Sequence, residues 1–149
     1  MERSSDDPHL VHFPPRFFDR ADESDDAAFY GFDRFVTHID DRAIAAVGAL
    51  YDELGVSGPT SGAVLDLCSS WISHFRSKPV RLVVTGMNAR ELAANEQADE
   101  WVVHDLNTDP GLPFDDGSFD GVTCCVSVDY LVRPLDVFAE VARVLRPGG

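Results

Sequence analysis

Four strand-like apolar runs, separated by segments of helix or turn character, dominate residues 63–128. They read "AVLDL" (63–67), "VRLVVTG" (80–86), "EWVVHDL" (100–106) and "FDGVTCCVSV" (119–128). The last is nearly all apolar at its centre, as a strand covered on both faces should be. Between them, "SSWISHF" is expected as a short helix stopped by Pro79, and "NARELAANE" as a helix capped by Asn88. After the fourth run, "PLDVFAEVARVL" places Leu135, Phe138, Val141, Ala142 and Leu145 on one side of a helix. This alternation implies βαβ units with right-handed crossovers. The expected fold class is therefore α/β, a doubly wound parallel sheet of about four strands, incomplete on one side. Ligands of such sheets sit beyond the carboxyl ends of the strands. That directs attention to residues 66–71, 86–88, 105–106 and 126–130.

Upstream, residues 39–54 predict a helix capped by Asp40 and ended by Gly55. Ile44, Val47, Leu50, Tyr51 and Leu54 share one face. Residues 1–27 are polar and aspartate-rich, interrupted by "VHFPPRFF", where Pro14-Pro15 excludes regular helix. They read as an irregular arm, partly docked through Phe13, Phe17 and Phe18. The expected division is an arm and pocket cover over 1–38 and one α/β domain over 39–149.

The 149-residue chain carries a formal net charge of −14, which argues against a broad nucleic-acid or anionic-membrane surface. No apolar run approaches the ~20 residues that span a bilayer, and the N-terminus lacks a signal pattern. A cytoplasmic location is expected. Eleven arginines stand against one lysine, and nineteen aspartates against seven glutamates. That bias fits a protein working in molar salt, where self-repulsion is screened; a GC-rich genome would also favour arginine. The three cysteines, Cys68, Cys124 and Cys125, are expected to be reduced, and to be buried and inert. No C-x₂-C or H-x₃-H spacing suggests a metal.

Each strand end has a chemical reading beside a structural one. Asp66 ends the first run and either holds the following loop or binds an ammonium group. Ser69, Ser70 and Ser73 supply hydroxyls, in a loop whose helix would attract a carboxylate or phosphate at its N-terminus. Asn88 offers one carbonyl acceptor and an amide donor, suited to a ribose diol or to a helix cap. Asp105 suits the exocyclic amine of an adenine or the capping of its own turn. Asp115 and Asp116 read as solvated turn residues and Phe119 as core. Trp71 reads as core and His74 as a cation at a helix end, each with a ligand-facing role as the alternative. Neither the G-x-S-x-G elbow of serine hydrolases nor the G-x-G-x-x-G of nicotinamide-binding proteins occurs.

Taken in order, "VLDL", "VVTGMNA", "VVHDLN", "LPFDDGSFDGV" and "RVLRPGG" resemble a class I S-adenosylmethionine-dependent methyltransferase. The last two strings, about twenty residues apart, resemble the type-11 group in particular. "FYGFDRFVTHIDD", "DLCSSWISHF" and "GMNARELAANE" together resemble a branch in which an S-S-W-x-S-H loop replaces the glycines. The resemblance covers residues 62–149. It implies S-adenosylmethionine as cofactor, with Asp66 orienting the loop around its methionine part and Cys68, Ser69 and Ser70 standing where glycines pass that moiety. Asn88 stands where the ribose-binding acid is found, Asp105 and Leu106 would flank the adenine, and Val126 and Ser127 would line the pocket floor. Restoring the acid (Asn88→Asp) is expected to raise cofactor affinity. The implied reaction is methyl transfer to a small-molecule acceptor. Tyr30, Arg34, His38 and Tyr130 are candidates for the acceptor side, with His38 read either as a base, since imidazole titrates near neutrality, or as a polar residue near the start of the helix. The alternative is a non-catalytic methyltransferase-like protein that binds another ligand or a protein partner. Methyltransferases of this fold continue past P-G-G with further strands, so the sequence is expected to be a fragment of a longer reading frame.

Overall fold

The computed structural model describes residues 13–149; residues 1–12 of the expected arm lie outside it. The elements run α1 (Asp26–Phe29), α2 (Asp41–Glu53), β1 (Ala63–Leu67), β2 (Arg81–Gly86), α3 (Ala89–Ala93), β3 (Glu100–Val103), β4 (Gly121–Cys124) and α4 (Pro134–Val144). A single 3₁₀ turn, Val128–Tyr130, precedes α4. The four strands form one parallel sheet in the order β3-β2-β1-β4. β1 is central, with Asp66 level with Val84 on one neighbour and Thr123 on the other.

Alternation along the strands feeds two cores. Leu65, Leu67 and Val83 point to the face packed by Phe119, Leu131, Val137 and Val144. Val64, Leu82 and Val84 point to the face packed by Tyr51, Phe75 and Leu92. Fully burying each such side chain contributes about 1.5–3 kcal/mol. The two strand ends that matter most are then fixed from both sides: β1 by its neighbours and β2 by Gly86, which lies against the loop after β1.

Several elements differ from expectation. No helix follows β1; residues 68–75 are irregular. Their serine hydroxyls bond to Asp66 and Glu91, and side-chain bonding of this kind competes with helix. With the helix goes the anion-attracting terminus and the helix-end role of His74. β4 stops at Cys124 rather than Val128, because Val126 takes a left-handed φ of 61° that no strand accommodates. α2 is capped as expected, the Asp40 carboxylate accepting from Ala43 N at 2.8 Å, and Gly55 ends it with a φ of 72°. Its buried stripe is Gly48 and Tyr51 with Ile44 and Val47 beside them, however, while Leu50 and Leu54 face solvent. In α4 the buried positions are Pro134, Val137 and Val144, and Leu135 and Phe138 point outward, with Ala142 also exposed. Asp116 is not merely solvated but pairs with Arg143 at 2.7 Å. Phe119 is core, as expected.

Gly48 shows how tightly α2 sits on the chain after β1. A Cβ there would lie 2.8 Å from Arg76 Cγ and 3.0 Å from the His74 carbonyl oxygen. In an open helix Gly→Ala stabilises by about 1 kcal/mol. Here Gly48→Ala is expected to destabilise by about 1–3 kcal/mol through overpacking, measurable as a lowered urea midpoint with unchanged slope.

Candidate functional site

Asp66 is the centre of the site. It is buried, and its two oxygens accept three hydroxyl hydrogen bonds: Thr123 Oγ1 at 2.7 Å on Oδ1, and Ser69 Oγ and Ser73 Oγ, each at 2.8 Å, on Oδ2. Burial raises its pKa above the usual carboxylate range, against the opposing pull of those hydroxyls. It faces inward, so it holds the loop; it does not present a carboxylate to a ligand. Around it the loop is stitched to its surroundings. Ser69 N donates to Thr85 O at 2.6 Å, Asn95 Nδ2 donates to Ser70 O and Ser73 Oγ at 3.0 Å each, and Ser70 Oγ donates to Glu91 Oε2 at 2.6 Å. Gly86 permits this approach: a Cβ there would stand 2.3 Å from Ser69 O.

Cys68 takes the turn that a glycine would take. Its φ is 52°, in the left-handed region that favours glycine. Its side chain packs against the same core cluster as Cys124, on the α4 face of the sheet. Cys125 lies on the opposite face, within hydrogen-bonding reach of Tyr51. Hydrogen bonding with Cys124, together with burial, holds the Cys68 thiol above its ordinary range, and the same bonding draws Cys124 down against burial.

A segment of the arm lies over the ends of β2 and β3. Asn88 caps α3 with Oδ1, which accepts from Arg90 N and Glu91 N at 3.0 and 3.1 Å. Its Nδ2 donates to Tyr30 O at 3.1 Å and Asp33 Oδ1 at 3.0 Å, and Arg90 pairs with Asp33 at 2.9 Å. Glu91 Oε1 accepts from Arg34 N at 2.6 Å. Trp71 is half-buried rather than core, and its Nε1 donates to Val36 O at 3.1 Å. At β3, Asn107 Nδ2 donates to Asp26 Oδ2 at 2.8 Å and Tyr130 O at 2.9 Å. Asp105 caps its own turn, accepting from Asn107 N at 2.9 Å and Thr108 Oγ1 at 2.8 Å. A cleft of about 260 Å³ opens beside it, lined by Asp105, Asn107, Thr108, Val132, Phe18 and Arg20 among others.

The candidates from sequence divide accordingly. Asp66, Cys68, Ser69, Ser70, Asn88 and Asp105 all lie at the carboxyl ends of β1–β3, and Tyr30 joins them, within electrostatic reach of Tyr130 and Cys68. Leu106 is a core residue rather than a pocket wall. Val126 is exposed, and Ser127 donates to Cys125 O at 3.2 Å. Arg34 folds onto its own arm, its guanidinium 4.0 Å over the Phe29 ring and Nη1 donating to Phe29 O. His38 is exposed and makes none of the hydrogen bonds that join the arm to the strand ends. His74 is held by burial below the ordinary imidazole range, as suits its neutral form, and its buried Nδ1 lacks a hydrogen bond. Glu91, Asn95, Asn107 and Asp33 are the site residues that sequence reasoning missed. The signal available was a buried polar residue on an otherwise apolar helix face, visible for Glu91 only once the loop is placed above it. Among the described residues no cluster of side chains could hold a metal ion, and no helix is long and apolar enough to cross a membrane.

The donor set suits an adenosine in part. Asp105 and Asp33 each keep unused lone pairs toward groups such as an amine or a diol, whereas Asn88 has spent its acceptor on α3. Cys68 itself holds a left-handed φ that a glycine would adopt without strain.

The family model described as "Methyltransferase domain" matches residues 62–149. A demethylmenaquinone methyltransferase of Clavibacter sepedonicus is 34% identical over 109 residues, covering 72% of this chain and 42% of that protein. The methyltransferase GfsG of Streptomyces halstedii is 30% identical over 151 residues, covering 89% and 54%. Among solved structures, the PH0226 protein of Pyrococcus horikoshii superposes with a TM-score of 0.52 at 22% identity, covering 82% of this chain and 62% of that one. The likeness to that structure is one of fold. The chain spans about half the length, or less, of these curated relatives.

The geometry predicts two outcomes. Because the folded pKa of Asp66 is raised, its contribution to stability is fully present below its unfolded value, near ~4, and is lost as pH rises through the folded value. Urea unfolding of the native chain and Asp66→Asn is therefore expected to show the native chain gaining relative stability as pH falls from about 7 to about 4; a constant difference would contradict this. In Asn88→Asp, a carboxylate would face Asp33 and the Tyr30 carbonyl where an amide now donates to both. Loss of these bonds, at about 1.5 kcal/mol, is expected to release the arm and speed tryptic cleavage after Arg34 roughly tenfold.

Proposed function

Since this chain belongs to the methyltransferase-domain family, we propose that it serves methyl transfer from S-adenosylmethionine to a small-molecule acceptor at the carboxyl ends of β1–β3. The observation that carries the reading is the construction of the loop after β1. Cys68 makes the left-handed turn, and a buried carboxylate with three hydroxyl donors holds residues 69–73 in place. A loop that had merely lost its glycines would have no reason to be bonded at so many points. The S-S-W-x-S-H loop is, on this reading, the mark of a branch that fixes its cofactor loop with hydroxyls.

When bound, the cofactor supplies an electrophilic methyl group on a sulfonium. The protein's part is then to bind, orient and exclude water, since an in-line displacement gains much of its rate from positioning. Asp105, beside the cleft, would accept from the adenine amine. Asp33, held by Asn88 and Arg90, would offer the ribose diol the carboxylate that position 88 lacks. Ser69 and Ser70 would flank the methionine end, with Val126 and Ser127 as the floor opposite. The segment from Asp26 to Val36 would act as a pocket cover, tied down by Asn88, Glu91, Trp71 and Asn107. Tyr30 and Tyr130 would meet the acceptor; burial holds the Tyr30 phenol above its ordinary range, so it would act as a neutral donor.

A second reading, a non-catalytic protein that uses the pocket for another ligand or a partner, is favoured by one observation: Asn88 Oδ1 is committed to α3 and its amide to the arm. Calorimetric titration of S-adenosylhomocysteine in molar KCl separates the two. Micromolar binding is expected. No binding by protein shown to be folded would overturn methyl transfer and favour the second reading.

A further inference from the structure

In a regular strand, side chains alternate between faces. Continued regularly beyond Leu67, β1 would put Cys68 on the face of Cys125 and away from Cys124. The left-handed φ of 52° at Cys68 breaks that alternation. Its side chain instead packs into the same core cluster as Cys124, on the α4 face. Leu67 and Cys124 are paired across β1 and β4. With strands ~4.8 Å apart and a rise of ~3.3 Å per residue, Cys68 and Cys124 have Cα atoms about 6 Å apart, within the range that a disulfide spans. Both side chains pack against the same core cluster, and both residues are partly exposed.

We propose that Cys68 and Cys124 are a redox modification site, closing to a reversible disulfide that ties the loop after β1 to the end of β4. The chemistry is a two-electron oxidation by a hydroperoxide. The Cys124 thiolate attacks the peroxide oxygen. The O–O bond breaks, hydroxide departs and takes up a proton as water, and Cys124 becomes a sulfenic acid. Cys68 sulfur then attacks that sulfur, its proton leaves with the hydroxyl as a second water, and the S–S bond forms. Two thiols and one hydrogen peroxide thus give one disulfide and two waters. Cys125, on the other face beside Tyr51, takes no part. The inference stands apart from methyl transfer and holds whichever ligand the pocket takes.

The test is thiol counting on the folded chain after stoichiometric hydrogen peroxide, with alkylation under denaturing conditions and fragment mass spectrometry. The native chain is expected to fall from its three free thiols to one, located at Cys125, with full recovery on dithiothreitol. Cys125→Ser is expected to lose both of its remaining thiols, and Cys68→Ser and Cys124→Ser to form no intramolecular disulfide. A disulfide mapped to Cys125, disulfide-linked dimers in place of the internal bond, or three thiols surviving in the native chain would each overturn the proposal. The native-chain fragment map requires no variant to fold.

Discussion

A carboxylate removed from water at the end of the central strand is the constraint on which this site depends. An uncompensated buried carboxylate is costly, so the residues around Asp66 are not free to be anything. Thr123 must carry a hydroxyl because it is level with Asp66 on β4. Ser69 and Ser73 must turn inward to reach Oδ2, which is why the segment after β1 is a loop and not a helix. Asn95 then closes the network from the end of α3 by donating to Ser73. Burial still raises the Asp66 pKa despite these three donors, so the loop is shaped by the electrostatics of one group.

From that loop the coupling runs outward. Ser70 reaches Glu91, and the other oxygen of Glu91 takes the backbone of Arg34 in the arm. A single buried side chain therefore joins the loop after β1 to the segment that covers the strand ends. Asn88 does the same from the start of α3, capping the helix with one atom and holding the arm with the other. The arm is thus built into the strand-end surface, and a ligand there would meet its Asp33 and Tyr30 as well as the sheet's own residues.

Much of the fold was legible because it rests on period and caps. "AVLDL" is β1 residue for residue, and Asp40 and Asn88 cap the helices as their positions suggest. What misled was local pattern without partners. "SSWISHF" has helical spacing, but nothing in the string reveals that its serines answer a carboxylate three and seven residues back. α4 carries apolar residues on two sides, and only the sheet determines that Val137 and Val144 are buried while Leu135 and Phe138 are not. At the site, Asp66, Ser69 and Ser70 were placed correctly at the strand end, yet their inward orientation was not readable. Position alone does not say whether a polar group faces a ligand or the core. The left-handed φ of Cys68 was hidden for the same reason: a residue's identity suggests, but does not fix, the turn it makes.

The central claim is that the glycine-free loop is a built, bonded structure. Amide hydrogen exchange over residues 68–73 in the native chain tests it most directly. Ser69 N–H, bonded to Thr85 O, should exchange as slowly as the amides of β2, and Asp66→Ala should release it. Exchange of Ser69 at the rate of an exposed loop in the native chain would contradict the account.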